Sequence, residues 1–225
     1  YMPKRETPLV DDHYYHIFNR GVDLRPIFSN SGIKDYERFI KLMNYYRFNN
    51  YPGSYSQFVK MPRAEREDIL KALEKENKAQ VEIICFCLMS NHFHFLLKQK
   101  EDKGILNFLA NLENSHTRYF NKKNERVGPL FQGRFKAVLV ETEEQLLHLS
   151  RYIHLNPYSA AIVGSLDELV SYPWSSLSEY LGGKQGFCQT DLVMSYFKTP
   201  QKYQEFIFDQ ADYQKQLEII KHLAI

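Results

Sequence analysis

The stretch Cys85-Phe86-Cys87-Leu88-Met89-Ser90-Asn91-His92-Phe93-His94-Phe95-Leu96-Leu97 sets two imidazoles, one residue apart, in an otherwise apolar run. Apolar segments flank the short polar break Ser90-Asn91, the pattern of two buried strands joined by a tight turn. Alternation along a strand puts His92 and His94 on one face and Phe93, Phe95 and Leu97 on the other. Neutral imidazole is a common metal ligand, so the pair reads as one grip on a metal ion. Two histidines hydrogen-bonded into a core is the plainer reading. Cys85 and Cys87 also share a strand face, so a structural zinc site built from Cys85, Cys87, His92 and His94 is a third. Its spacing departs from common zinc sites, which place two to four residues between cysteines.

A nucleophile is available further along. Thr142-Glu143-Glu144-Gln145 has the form of a helix start, a capping residue followed by acidic first-turn residues. Leu146, Leu149 and Ile153 supply the buried stripe of that helix. Tyr152 and Asn156 are four apart and project from one face, with His148 a turn earlier. Pro157 is expected to end the helix, leaving Asn156 at its frayed end, where the amide can reach beyond its own helix. Taken singly, Tyr152 could be a core residue and Asn156 a helix cap. His154 points elsewhere on an ideal helix and is given no catalytic role; His116 and His148 read as structural residues or outer contacts.

Positive charge clusters between these two places. Arg118, Lys122, Lys123, Arg126, Arg134 and Lys136 are interleaved with Tyr119, Phe120, Phe131 and Phe135, with Glu113 and Glu125 nearby. Cations beside aromatic faces suit single-stranded nucleic acid, which needs phosphates neutralised and bases stacked. A solvated charged face with core aromatics is the alternative. Arg20, where a strand leaves its sheet, and Gln132, in the Gly128–Gly133 break, are further candidate DNA contacts; packing or ion-pair roles compete.

The elements that must position these groups follow from the hydrophobic pattern. Tyr14–Phe18 reads as a strand closed by Asn19-Arg20-Gly21, Ile33–Phe48 as an amphipathic helix, and the His92 hairpin follows. A helix opens at Gly104, a strand spans Arg134–Val140, and the Tyr152 helix comes last. That order predicts an α+β fold, a ferredoxin-like split βαβ antiparallel sheet with helices on one face, plus a catalytic helix and a helical C-terminal extension. Residues 1–163 form the expected catalytic domain, with 54–80 a rim insertion of mixed charge, and 164–225 the extension. The totals are those of a soluble globular protein: 225 residues, 44% hydrophobic and 25% charged. A net charge of +2 implies no polyanion partner by itself, so that inference rests on local clustering. Three cysteines give no disulfide framework, Tyr1–Val10 lacks the apolar core of a signal peptide, and no apolar run is long enough for a bilayer. A cytoplasmic, nucleoid-associated location is expected.

Together the motifs resemble a known family. His92-Phe93-His94 is similar to the histidine–hydrophobe–histidine signature of the HUH nucleases. The runs Leu88–His94, Gly128–Phe135 and Tyr152-Ile153-His154-Leu155-Asn156-Pro157 resemble its single-tyrosine branch, which includes the small insertion-sequence transposases and the REP-associated tyrosine transposases. Tyr15-His16 through Gly21 and Tyr172-Pro173-Trp174-Ser175-Ser176 resemble the latter group. The resemblance implies single-strand DNA cleavage and rejoining at hairpin ends through a 5′-phosphotyrosine. It makes Tyr152 the nucleophile, His92, His94 and Asn156 the ligands of Mg²⁺ or Mn²⁺, and hairpin-ended single-stranded DNA the partner of a monomer or homodimer. A non-catalytic, ferredoxin-like nucleic-acid-binding module is the rival expectation.

Overall fold

The computed structural model describes residues 8–29, 32–76, 78–183 and 185–223. The start of the amino-terminal stretch, up to residue 7, and the last two residues of the tail lie outside the described residues. Four strands form one antiparallel sheet: β1 (Tyr14–Arg20), β2 (Val81–Leu88), β3 (His92–Gln99) and β4 (Lys136–Val140), in the order β2-β3-β1-β4. With α1 (Ile33–Tyr46) after β1 and α4 (Gly104–Lys123) between β3 and β4, this is the expected split βαβ sheet. Between α1 and β2 lie α2 (Tyr55–Phe58) and α3 (Arg63–Glu76). Then come α5 (Glu143–Ser159), α6 (Leu166–Val170), α7 (Leu177–Tyr180), α8 (Asp191–Met194), α9 (Pro200–Phe208) and α10 (Ala211–Leu223).

Strand alternation divides the sheet into two packed faces. Tyr15 and Ile17 of β1 and Phe93, Phe95 and Leu97 of β3 pack with Phe39 and Met43 of α1 and Phe108, Leu109 and Leu112 of α4. On the opposite face, Cys85, Cys87 and Leu96 pack with Ile153 and Leu155 of α5 and with Tyr180, Tyr203 and Ile207 of the tail. His92 and His94 belong to that second face, so the chain places its imidazoles on the side that α5 covers.

Several boundaries differ from expectation. β1 runs on to Arg20 because its ladder with β3 continues through Arg20 opposite His92, whereas β4 starts only at Lys136. The 54–80 segment keeps charged, exposed positions on α3 but sends Tyr55 and Phe58 into the core on the α1 side. The edge of β2 is closed by the Tyr172–Ser176 run: Leu88 N–H donates to Trp174 O at 2.8 Å and Ser176 N–H to Phe86 O at 3.0 Å. Pairing an edge strand in this way removes a template for unwanted sheet extension, and it ties the tail to the hairpin that carries His92.

Candidate active site

Three strands and one helix converge on the imidazoles. The turn before β3 is pinned by Gly21 N–H donating to Asn91 O (2.7 Å) and by Ile27 N–H donating to Ser90 O (2.8 Å). Gly21 is required here, because a Cβ at that position would lie 2.1 Å from Arg25 O. Asn91 Nδ2 donates to Leu24 O at 3.2 Å, which turns Asn91 Oδ1 toward His92 Nδ1, 2.7 Å away. The His92 and His94 rings are perpendicular, with centroids 5.1 Å apart. His94 Nδ1 lies 2.9 Å from Nε2 of His16, which comes from the neighbouring strand β1. Burial alone pushes the His16 pKa down to about 4, so that ring is neutral at pH 7.

Tyr152 reaches this cluster from α5. Its ring meets His94 edge-on, with centroids 5.6 Å apart, and His16 likewise at 5.9 Å. The helix begins as expected: Thr142 Oγ1 accepts from Gln145 N–H at 3.1 Å in a capping box. Its end is a correction. Pro157 does not stop α5, which runs to Ser159, with Ala160 N–H donating to Asn156 O. A proline inside a helix removes one donor and crowds the preceding turn, but the chain beyond it stays helical here. Asn156 is therefore buried within the helix, and its Nδ2 donates to Tyr152 O at 2.8 Å. Gln214 of α10 donates to the same carbonyl at 3.1 Å. Two side-chain amides thus fix the backbone that carries the phenol.

The donor set fits a divalent ion through His92 and His94. Asn91 Oδ1 can only accept, so His92 Nδ1 keeps its proton and Nε2 carries the lone pair that a metal needs. Two imidazole nitrogens and the Asn156 carboxamide oxygen would leave coordination positions for water and phosphate oxygens. The zinc arrangement does not form: among the described residues no group of three or more His, Cys, Asp or Glu side chains could hold a metal. Burial pushes the Cys85 and Cys87 thiols well up, which opposes the thiolate form that a zinc ligand requires.

The basic cluster is only partly a surface. Arg118, Lys122, Arg134 and Lys136 are exposed. Lys136 pairs in register with Phe18, on the face that carries the imidazoles. Arg20, at the end of β1 opposite His92, donates from Nε to Gln132 Oε1 at 2.7 Å. Arg126 donates to Pro129 O and Asn121 Oδ1, bracing the Gly128–Gly133 loop. Lys123 is ion-paired with buried Asp35 at 2.6 Å. The aromatic residues between these cations do not offer free faces: Phe120, Phe131 and Phe135 are buried, and Tyr119 donates its hydroxyl to Asp35. His116, His148 and His154 lie apart from the imidazole pair. His116 bonds to Ile27 O, His148 to Arg151, and His154 sits between Tyr203 and Ser176. His16 is the site residue that sequence reasoning passed over. Its signal was available, since β1 alternation puts it on the face of His92 and His94.

Residues 55–156, from α2 through the Tyr152-to-Asn156 turn, match the family model described as "Transposase IS200 like". Over that stretch, just under half of the chain, the protein is similar to the IS200-like transposases. In overall fold it is similar to a REP-associated tyrosine transposase whose structure was solved bound to a REP hairpin. That likeness has a TM-score of 0.53 at 12% identity and covers 80% of this chain and 86% of that one. A search of curated proteins finds no match. Among the described residues no helix is long and apolar enough to cross a membrane.

Proposed function

We propose that this protein is a single-tyrosine HUH transposase, a metal-dependent single-stranded DNA endonuclease and strand transferase that acts beside DNA hairpins, with Tyr152 as nucleophile. The observation that carries the reading is the edge-on approach of Tyr152 to His94, on a sheet face that also holds His92. The match of residues 55–156 to an IS200-like transposase model and a fold like that of a hairpin-bound transposase support it. His92 and His94 would hold Mg²⁺ or Mn²⁺, with Asn156 Oδ1 as third ligand. An ion there would polarise the scissile phosphate and offset charge as it develops. A phenol in water has a pKa of ~10 and is a weak nucleophile at neutral pH without such help.

In the forward step the Tyr152 oxygen bonds to phosphorus and the bond from phosphorus to the 3′ oxygen breaks. The phenol gives up its proton and the departing oxygen takes one up, leaving a 5′-phosphotyrosine and a free 3′-hydroxyl. Attack by a 3′-hydroxyl on the phosphotyrosine reverses the process and rejoins a strand. Arg20, Gln132, Arg118, Lys122, Arg126, Arg134 and Lys136 are the proposed DNA contacts, with Lys123 occupied by Asp35. Residues 1–163 would form the catalytic part, and 164–225 an extension that buttresses α5.

The test is incubation of the full chain with end-labelled hairpin oligonucleotides and Mn²⁺, followed by a denaturing gel. A covalent adduct is expected that disappears in Tyr152→Phe and weakens strongly in His92→Ala and His94→Ala. An adduct surviving in Tyr152→Phe would assign the nucleophile elsewhere. Hairpin binding without adduct under any divalent ion would favour the non-catalytic module.

A further inference from the structure

We infer that His16 and Asn91 are positioning residues, which hold His94 and His92 in the tautomer that turns each Nε2 lone pair toward the cation. The inference rests on the proposed metal site but concerns residues that are not its ligands. Among the described residues three such side chains do not converge on one metal position, so His16 acts from behind His94 and not as another ligand.

The two hydrogen bonds are parallel in design. For His92, the acceptor is Asn91 Oδ1 at 2.7 Å, and its orientation is fixed by the bond from Asn91 Nδ2 to Leu24 O. An amide oxygen has no proton to give, so His92 must donate from Nδ1. For His94, the facing atom is His16 Nε2 at 2.9 Å. Between two neutral imidazoles one nitrogen donates and the other accepts, and both arrangements satisfy the bond. If His94 donates, its Nε2 is left with a lone pair; if it accepts, its Nε2 carries hydrogen and cannot ligate. His16 is half-buried, so its Nδ1 can keep the proton that frees Nε2 to accept. Ring contacts of His16 to Phe18 at 4.9 Å and to His94 at 5.2 Å hold it in register. Outer partners of metal-bound histidines fix tautomer and ring direction in this way, and their loss commonly weakens metal binding 10–100-fold.

Calorimetric titration of the full, DNA-free chain with Mn²⁺ tests this without reference to activity. His16→Ala and Asn91→Ala are each expected to weaken Mn²⁺ about 10–100-fold. His16→Gln, which keeps an acceptor near the former Nε2, should recover most of the affinity. Imidazole ¹⁵N shifts of the metal-free wild type should show His94 protonated at Nδ1, a readout that needs no variant to fold. Mn²⁺ binding that depends on His92 but is indifferent to both alanine variants would overturn this inference and leave the proposed function standing. The opposite His94 tautomer would overturn the His16 part as well. Absence of His92-dependent Mn²⁺ binding in the wild type would overturn both.

Discussion

Tyr152 stands edge-on to His94, with 5.6 Å between ring centroids and 86° between ring planes. Such a contact is made by the ring and not by the hydroxyl. Tyr152→Phe should therefore separate chemistry from packing. Metal-free hairpin affinity should be retained while the covalent adduct vanishes, with stability in urea measured alongside. A large fall in stability would mean that the hydroxyl is a structural bond and that loss of the adduct says little about catalysis.

How far this arrangement could be read in advance depends on whether the cue is local. The hairpin, the face shared by His92 and His94 and the capped start of α5 all follow from alternation and capping, which short stretches encode. The meeting of β1 with β3 is a long-range pairing, and His16 becomes a partner of His94 only through it. The burial of Phe120 follows from the helical stripe that carries it, whereas that of Phe131 and Phe135, open to either reading in the sequence, is decided by residues far away in the chain. Pro157 shows a local rule overridden by tertiary packing: the residues around it are buried, and the helix continues through.

Acid should destabilise the fold through His116. Burial pushes its pKa down to about 4 from 6.5, with only the bond to Ile27 O and the Asp35 charge opposing. The unfolded chain then binds more protons than the folded one between those values, so stability falls as pH drops through this window. From pH 7 to pH 5 the group should remove about 2 kcal/mol. His116→Gln, which keeps a donor for Ile27 O but does not titrate, should flatten the dependence by that amount in urea denaturation at the two pH values. An unchanged slope would assign the acid sensitivity to other groups.

The tail should be inseparable from the catalytic helix. Ser176 Oγ accepts from Phe86 N–H at 2.9 Å and lies 2.8 Å from His154 Nε2, and His154 Nδ1 lies 2.8 Å from the Tyr203 hydroxyl. This buried chain links β2, α5 and α9. Ser176→Ala should cost about 1–3 kcal/mol for each group left without a partner, read as a lower urea midpoint. A chain ending at residue 163 should lose cooperative unfolding, because Ile153, Leu155 and Cys85 would be exposed where the tail now covers them. Retained cooperativity would show that the tail is a separable accessory.

Charge substitutions should sort the basic cluster into DNA contacts and structural bonds. Each phosphate neutralised contributes a slope of about −0.7 for single strands and −0.9 for duplex in a plot of log affinity against log salt. Removing exposed Arg118 and Lys122 together should therefore flatten the slope for a hairpin oligonucleotide by about 1.4–1.8 units. Lys123→Ala should behave differently. Its ammonium contacts Asp35, a buried carboxyl that burial alone would push up. Bonds from Lys123, Ser29 and Tyr119 more than offset that and bring it to about 2. Losing Lys123 should lower stability by about 1–3 kcal/mol with little change in salt slope. A slope that falls by a full phosphate in Lys123→Ala, with stability intact, would place this lysine on the DNA.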